Sequence, residues 1–84
     1  MTPAEAAAQI RETANEFARG AASVHDMWAA FHSHLIPLCA DEPLNGEFLQ
    51  MFNDLEAWEG SVGQDQVRAV ETVRATAQRL LASA

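Results

Sequence analysis

Apolar side chains recur along the chain at the three- and four-residue intervals of an amphipathic helix, and no run alternates as a strand would. The clearest stripe is Val24, Met27, Trp28, Phe31 and Leu35. Leu44 or Phe48 leads into the next, which continues through Met51, Phe52, Leu55 and Trp58. Near the C-terminus Val62, Val70, Val73, Ala77, Leu80 and Leu81 make a leaner one. The N-terminal stripe is the poorest, with Ile10 and Phe17 as its large members and Ala7, Ala14 and Ala18 between them.

Start and stop signals divide these stripes into four helices. Thr2-Pro3-Ala4-Glu5 combines an N-cap, a proline at the first helical position and a glutamate at the third. The helix it opens runs to Arg19, with Gly20 as the stop. Ser23 to Asp26 is a second capping arrangement, and its helix fades at Ile36 because Pro37 disfavours helical geometry in the residue before it. Leu38 to Leu44 reads as a loop, and Asn45 or Asp41 caps the third helix. Ser61-Val62-Gly63-Gln64 is the last start signal. The expected elements span 3–19, 23–36, 45–58 and 62–82. Short connections between four helices favour a small all-α antiparallel four-helix bundle, one domain over residues 1–84.

Composition sharpens this picture in three ways. Hydrophobic residues are 49% of the 84, but seventeen of them are alanine, which leaves enough large side chains for one small core. No stretch of about 18 apolar residues exists to span a membrane. The first residues carry Glu5 and no basic cluster, unlike a secretory leader, and the single Cys39 forms no intrachain disulfide. Both features point to the reducing cytoplasm. Arginine as the sole cationic side chain apart from histidine, with so much alanine, suggests a GC-rich bacterial genome.

Charge changes the functional reading most. Five arginines, no lysine and twelve acids give a formal net charge of −7. Nucleic-acid affinity rests on phosphate contacts from a basic surface, so direct nucleic-acid binding is not expected. The arginines lie only at the two ends, Arg11 and Arg19, then Arg68, Arg74 and Arg79. Between Arg19 and Arg68 stand eight acids and no compensating Lys or Arg. A field of one sign keeps a small protein soluble, and it also steers a protein toward a basic partner. Trp58 lies among Asp54, Glu56 and Glu59, the composition of an interface anchor, although it fits the core stripe as well. The residues expected to meet such a partner are Asp41, Glu42, Glu47, Asp54, Glu56, Trp58 and Glu59.

Candidate chemistry is thin by comparison. His25, His32 and His34 crowd the second helix, but a metal pair on one helix needs ligands at i and i+3 or i+4. His25 and His32 are seven apart, about 10 Å along the axis, and His34 lies on the opposite flank. Cys39 follows a helix C-terminus, where the dipole disfavours the thiolate. Ser23, Ser33 and Ser61 sit at caps or exposed faces, and the four glycines punctuate helix ends rather than forming a phosphate loop. No metal, no cofactor and no enzymatic activity are expected.

The order of features resembles a known family. Phe17-Ala18-Arg19-Gly20 and a polar turn precede Trp28 and Phe31 on the next helix. Phe52-Asn53-Asp54-Leu55-Glu56, an acidic turn, and Val67-Arg68 leading through Val73 to Leu80-Leu81 complete the pattern. In this it is similar to the colicin D-type immunity proteins, small acidic cytosolic helical bundles that inhibit a nuclease toxin. The Tyr-Tyr-Pro signature of the DNase-colicin immunity proteins is missing, and the chain has no tyrosine. The resemblance implies a toxin partner whose basic site is occluded by acids of this chain. The alternative is a structural homodimer or a small subunit of a larger assembly, motivated by the thin, alanine-rich first helix.

Overall fold

The computed structural model describes residues 1–83. Five helices follow one another, α1 (Pro3–Ala18), α2 (Val24–Ser33), α3 (Leu35–Leu38), α4 (Gly46–Glu59) and α5 (Gly63–Ala82), and no strand occurs among the described residues. The all-helical expectation holds. The count of four does not, because the second helix is broken in two.

The break is the work of Pro37, acting earlier than expected. A proline ring collides with the carbonyl four residues before it and offers that carbonyl no N–H. That residue is Ser33, where α2 ends, and His34 leaves helical geometry at φ −109° and ψ 6°. Pro37 then falls in the first turn of α3, where its missing N–H has no partner to lose. The remaining boundaries shift by one residue: α1 ends at Ala18 rather than Arg19, and α4 covers 46–59 rather than 45–58.

Local capping explains the first two helix starts. The Thr2 and Ser23 hydroxyls accept the backbone N–H of Glu5 and Asp26, and those carboxylates accept the backbone N–H of Thr2 and Ser23 in return. Both are complete capping boxes. Ser61 does not cap α5. Its hydroxyl donates back to the Trp58 carbonyl, and Val62 stands at the cap with no side-chain bond. Asn45 likewise makes none at α4. Both later helices are entered instead through a glycine in the left-handed region, Gly46 at φ 54° and Gly63 at φ 62°.

The capping carboxyls carry a pH signature. Glu5 and Asp26 are held below the ordinary carboxylate range, chiefly by the backbone N–H donated from Thr2 or Ser23, then by that residue's side chain. A lowered folded value stabilises above the unfolded value, and the gain is lost as pH falls through the folded one. The boxes are therefore expected to stay closed below the ordinary carboxylate values and to open only as pH falls through the lowered folded ones. A carboxyl-carbon NMR titration should show Glu5 and Asp26 with low midpoints, Glu5 returning toward the ordinary range in Thr2→Ala. Ser23→Ala is expected to lower folding stability by about 1 kcal/mol in urea denaturation.

The poor N-terminal stripe forms the hub. Ala6, Ile10, Ala14 and Phe17 are all buried, and α1 packs against α2, α3 and α5. Its small side chains let those neighbours come close. Met27, Phe31, Met51, Leu55, Val73, Ala77 and Leu80 join it in the core. Val62, counted in the last stripe, is instead 80% exposed. The α4–α5 pair is antiparallel, since Glu47 meets Arg79 while Asp54 meets Thr76.

Candidate functional site

The backbones of α2 and α4 do not pack closely; ring side chains span the gap between them. His25, Trp28 and His32 follow one face of α2 at i, i+3 and i+7. Phe52, Glu56 and Glu59 do the same on α4 at i, i+4 and i+7. Running antiparallel, the two faces form a seam. Trp28 stacks on His32 with ring centres 4.3 Å apart, and His25 lies nearly parallel to Trp28 at 6.1 Å. Trp58 meets His25 edge-on at 6.5 Å, while Phe52 stands 6.2 Å from both Phe31 and His32.

Two polar contacts stitch the seam. The Trp28 indole donates to Glu59 Oε2 at 3.1 Å. His32 Nε2 lies 2.9 Å from Glu56 Oε1, and its Nδ1 lies 2.9 Å from the Trp28 carbonyl. Both neighbours are acceptors, so a neutral imidazole makes one of these bonds and the doubly protonated ring makes both. No hydroxyl or thiol among the described residues hydrogen-bonds to His32, and no three His, Cys, Asp or Glu side chains are gathered as metal ligands there. The seam presents flat aromatic surface, the Glu56 and Glu59 carboxylates, the exposed His25 and the part-buried His32.

The seven residues expected to meet a partner are not one surface. Glu56, Trp58 and Glu59 gather at the seam. Asp41 and Glu42 are exposed on the loop before α4, toward its opposite end. Glu47 turns to α5, where its Oε2 accepts from Arg79 Nε at 3.3 Å. Asp54, expected on the surface, is 7% exposed and belongs to the interior. Its Oδ1 accepts from the Gln50 amide at 2.8 Å, its Oδ2 accepts from the Thr76 hydroxyl, and that hydroxyl accepts from Arg79 Nη2 at 2.8 Å. The reason is rotational. Asp54 and Glu56 stand two residues apart, about 200° round the helix, so one faces α5 and the other α2.

Sequence reasoning missed His25, Trp28, His32 and Phe52 as members of the site. The i, i+4 spacing of Trp28 and His32, and the i, i+3 spacing of Glu56 and Glu59, were the available signals. Pairing them required knowing that α2 and α4 run side by side. The chain matches no family model, no curated protein and no solved structure.

The arginines sharpen the charge contrast. Arg74 stacks on Phe17 at 4.5 Å and donates to the Phe17 carbonyl at 2.9 Å. Arg11 lies over Phe48 at 5.0 Å, and Arg79 is engaged by Glu47 and Thr76. Three of the five are thus laid against the protein's own groups, and neither α2 nor α4 carries an arginine or lysine. Neither helix of the seam thus places an Arg or Lys beside Glu56 and Glu59.

Proposed function

We propose that this is an acidic protein-binding module of the inhibitor or immunity type, not an enzyme, which covers a basic site on a partner protein such as a nuclease toxin. The observation that carries the reading is the seam edge, where Trp28 and Trp58 stand beside Glu56 and Glu59 on two helices without a single Arg or Lys. Aromatic anchors ringed by charge of one sign are the usual make-up of an interface hot spot, and the field speeds encounter with a basic partner. The likeness in feature order to colicin D-type immunity proteins agrees with it. The four long helices are read as the bundle, with Leu35–Leu38 as a one-turn continuation of α2, working in the cytoplasm. The alternative, a structural homodimer or a small subunit of a larger assembly, draws less support from α1, since Ile10, Ala14 and Phe17 are buried within the chain.

The test is capture from native lysate at low salt on immobilised protein, with salt-gradient elution and mass spectrometry. A single basic protein leaving at moderate salt is the expected result. It should be lost on a Glu56→Arg, Glu59→Arg column whose helicity is intact by circular dichroism, and retained on Glu12→Arg. Equal capture by the seam variant, or retention insensitive to salt, overturns the reading.

A further inference from the structure

Of the three histidines, His32 alone has a hydrogen-bonding neighbour at both ring nitrogens among the described residues. Nδ1 lies 2.9 Å from the Trp28 carbonyl one turn back on α2, and Nε2 lies 2.9 Å from Glu56 Oε1 across the seam. Trp28 stacks on the ring at 4.3 Å and Phe52 lies 6.2 Å away, so its plane is set by its neighbours. The His32 side chain is 27% exposed and that of Glu56 45%.

Counting protons decides what these contacts are. A main-chain carbonyl and a carboxylate both accept and neither donates. With one N–H the ring bonds one of them and turns a lone pair toward the other. With two it bonds both, and the bond to Glu56 becomes charge-assisted. The contact also has a mechanical place. Among the described residues only two side-chain hydrogen bonds join α2 to α4, Trp28 to Glu59 and His32 to Glu56. Glu56 faces His32 directly from α4, and Glu59 stands behind the Trp28 indole. On α2 itself, His25 stacks on Trp28 in turn. Helices α1 and α3, which pack against α2, bring no ion pair or hydrogen bond to His32 among the described residues.

We propose that His32 is a proton-operated clasp between α2 and α4. The doubly protonated ring ties Glu56 to the Trp28 carbonyl. Loss of the Nε2 proton to solvent releases Glu56 and leaves Trp28 to Glu59 as the one side-chain hydrogen bond across the seam. The proton leaves from Nε2 because the exposed Glu56 carboxylate can turn to water, whereas the Trp28 carbonyl is fixed in the helix. The folded chain gains the second bond only when the ring is protonated. Stability from the clasp is therefore present on the acid side of the ordinary histidine range, about pH 6.5, and is lost as pH rises through it. The clasp is a property of the chain alone and holds whether or not a partner docks on the seam.

Urea denaturation at pH 5.5 and pH 8, on the unaltered protein and on Glu56→Gln, is the first test. The ratio of folded to unfolded protein should fall about three- to fivefold more in the unaltered chain, the scale of a partly exposed ion pair. Glu12→Gln removes the same charge from an exposed site on α1 and should behave as the unaltered chain does. The second test is ¹⁵N NMR of the imidazoles in the unaltered protein. At pH 5.5 both ring N–H protons of His32 should exchange with water at least about tenfold more slowly than those of His25 and His34, as hydrogen-bonded donors do. At pH 8 only the Nδ1 proton should remain. Equal pH dependence in the unaltered chain and Glu56→Gln overturns the clasp, and so does a difference of opposite sign. Exchange at His32 as fast as at His25 overturns it too, without recourse to any variant.

Discussion

Phe31→Ala is expected to remove a large part of the stability of this protein. Phe31 is fully buried and stands 6.2 Å from Phe52, and with Met27 it is one of only two buried residues on α2. Truncating a buried phenylalanine costs about 3–5 kcal/mol, part lost transfer energy and part cavity. Domains of this size have stabilities of about 4–12 kcal/mol. The loss is sharpened here because α2 and α4 meet through side chains rather than close backbone, leaving little nearby to collapse into the void. A fall in melting temperature of roughly 20 °C or more is the expected calorimetric result. Ile36→Ser, next to Leu35 of the apolar stripe yet at a position 85% exposed, should change stability by less than about 0.5 kcal/mol. If the two variants melt alike, Phe31 does not hold the seam.

Thr76→Val should cost about 2–3 kcal/mol, although it preserves shape and adds an apolar atom to a buried site. The Thr76 hydroxyl is a relay: it accepts from Arg79 Nη2 and donates to Asp54 Oδ2. Asp54 has no arginine within ion-pairing reach among the described residues, so its buried carboxylate depends on Thr76 and Gln50. Valine withdraws one of these donors and leaves a charge short of partners in the interior, the costly direction of the hydrogen-bond asymmetry. Thr76→Ser should restore most of the loss. The double variant Asp54→Leu, Thr76→Val should be far less damaged than the single, because no stranded charge remains. Urea denaturation of the set is the measurement, and additivity of the two changes would rule out the relay.

That pair also shows where sequence reading stopped. The helix starts at Thr2 and Ser23 were legible because a capping box is closed within four residues. The same reasoning failed at Ser61, whose hydroxyl found the Trp58 carbonyl behind it while Gly63 made the turn. Pro37 was recognised as a breaker, yet its effect fell on Ser33, where its ring meets the carbonyl, rather than on its immediate neighbour. Among the acids, charge was visible and direction was not. Asp54 is partnered by Thr76, twenty-two residues away, and Arg74 by Phe17, fifty-seven away. No local pattern contains such partners. They exist only once α5 lies against both α1 and α4.

That placement of α1 sets the order in which the protein can acquire its structure. Helix α1 lies against α5, far along the chain, as well as against α2 and α3, so the part of its face that meets α5 stays uncovered while the intervening segments are synthesised. Helices α2, α3 and α4 can each form locally and α1 can pack on α2, but the α1–α5 contact closes a loop of more than fifty residues. Such closure raises the mean sequence separation of contacts and slows folding relative to a hairpin of neighbouring helices. Meanwhile the aromatic face of α2 is exposed to other nascent chains. A polypeptide halted before α5 would hold its helices without a finished core, because Val73, Ala77 and Leu80 of α5 belong to it.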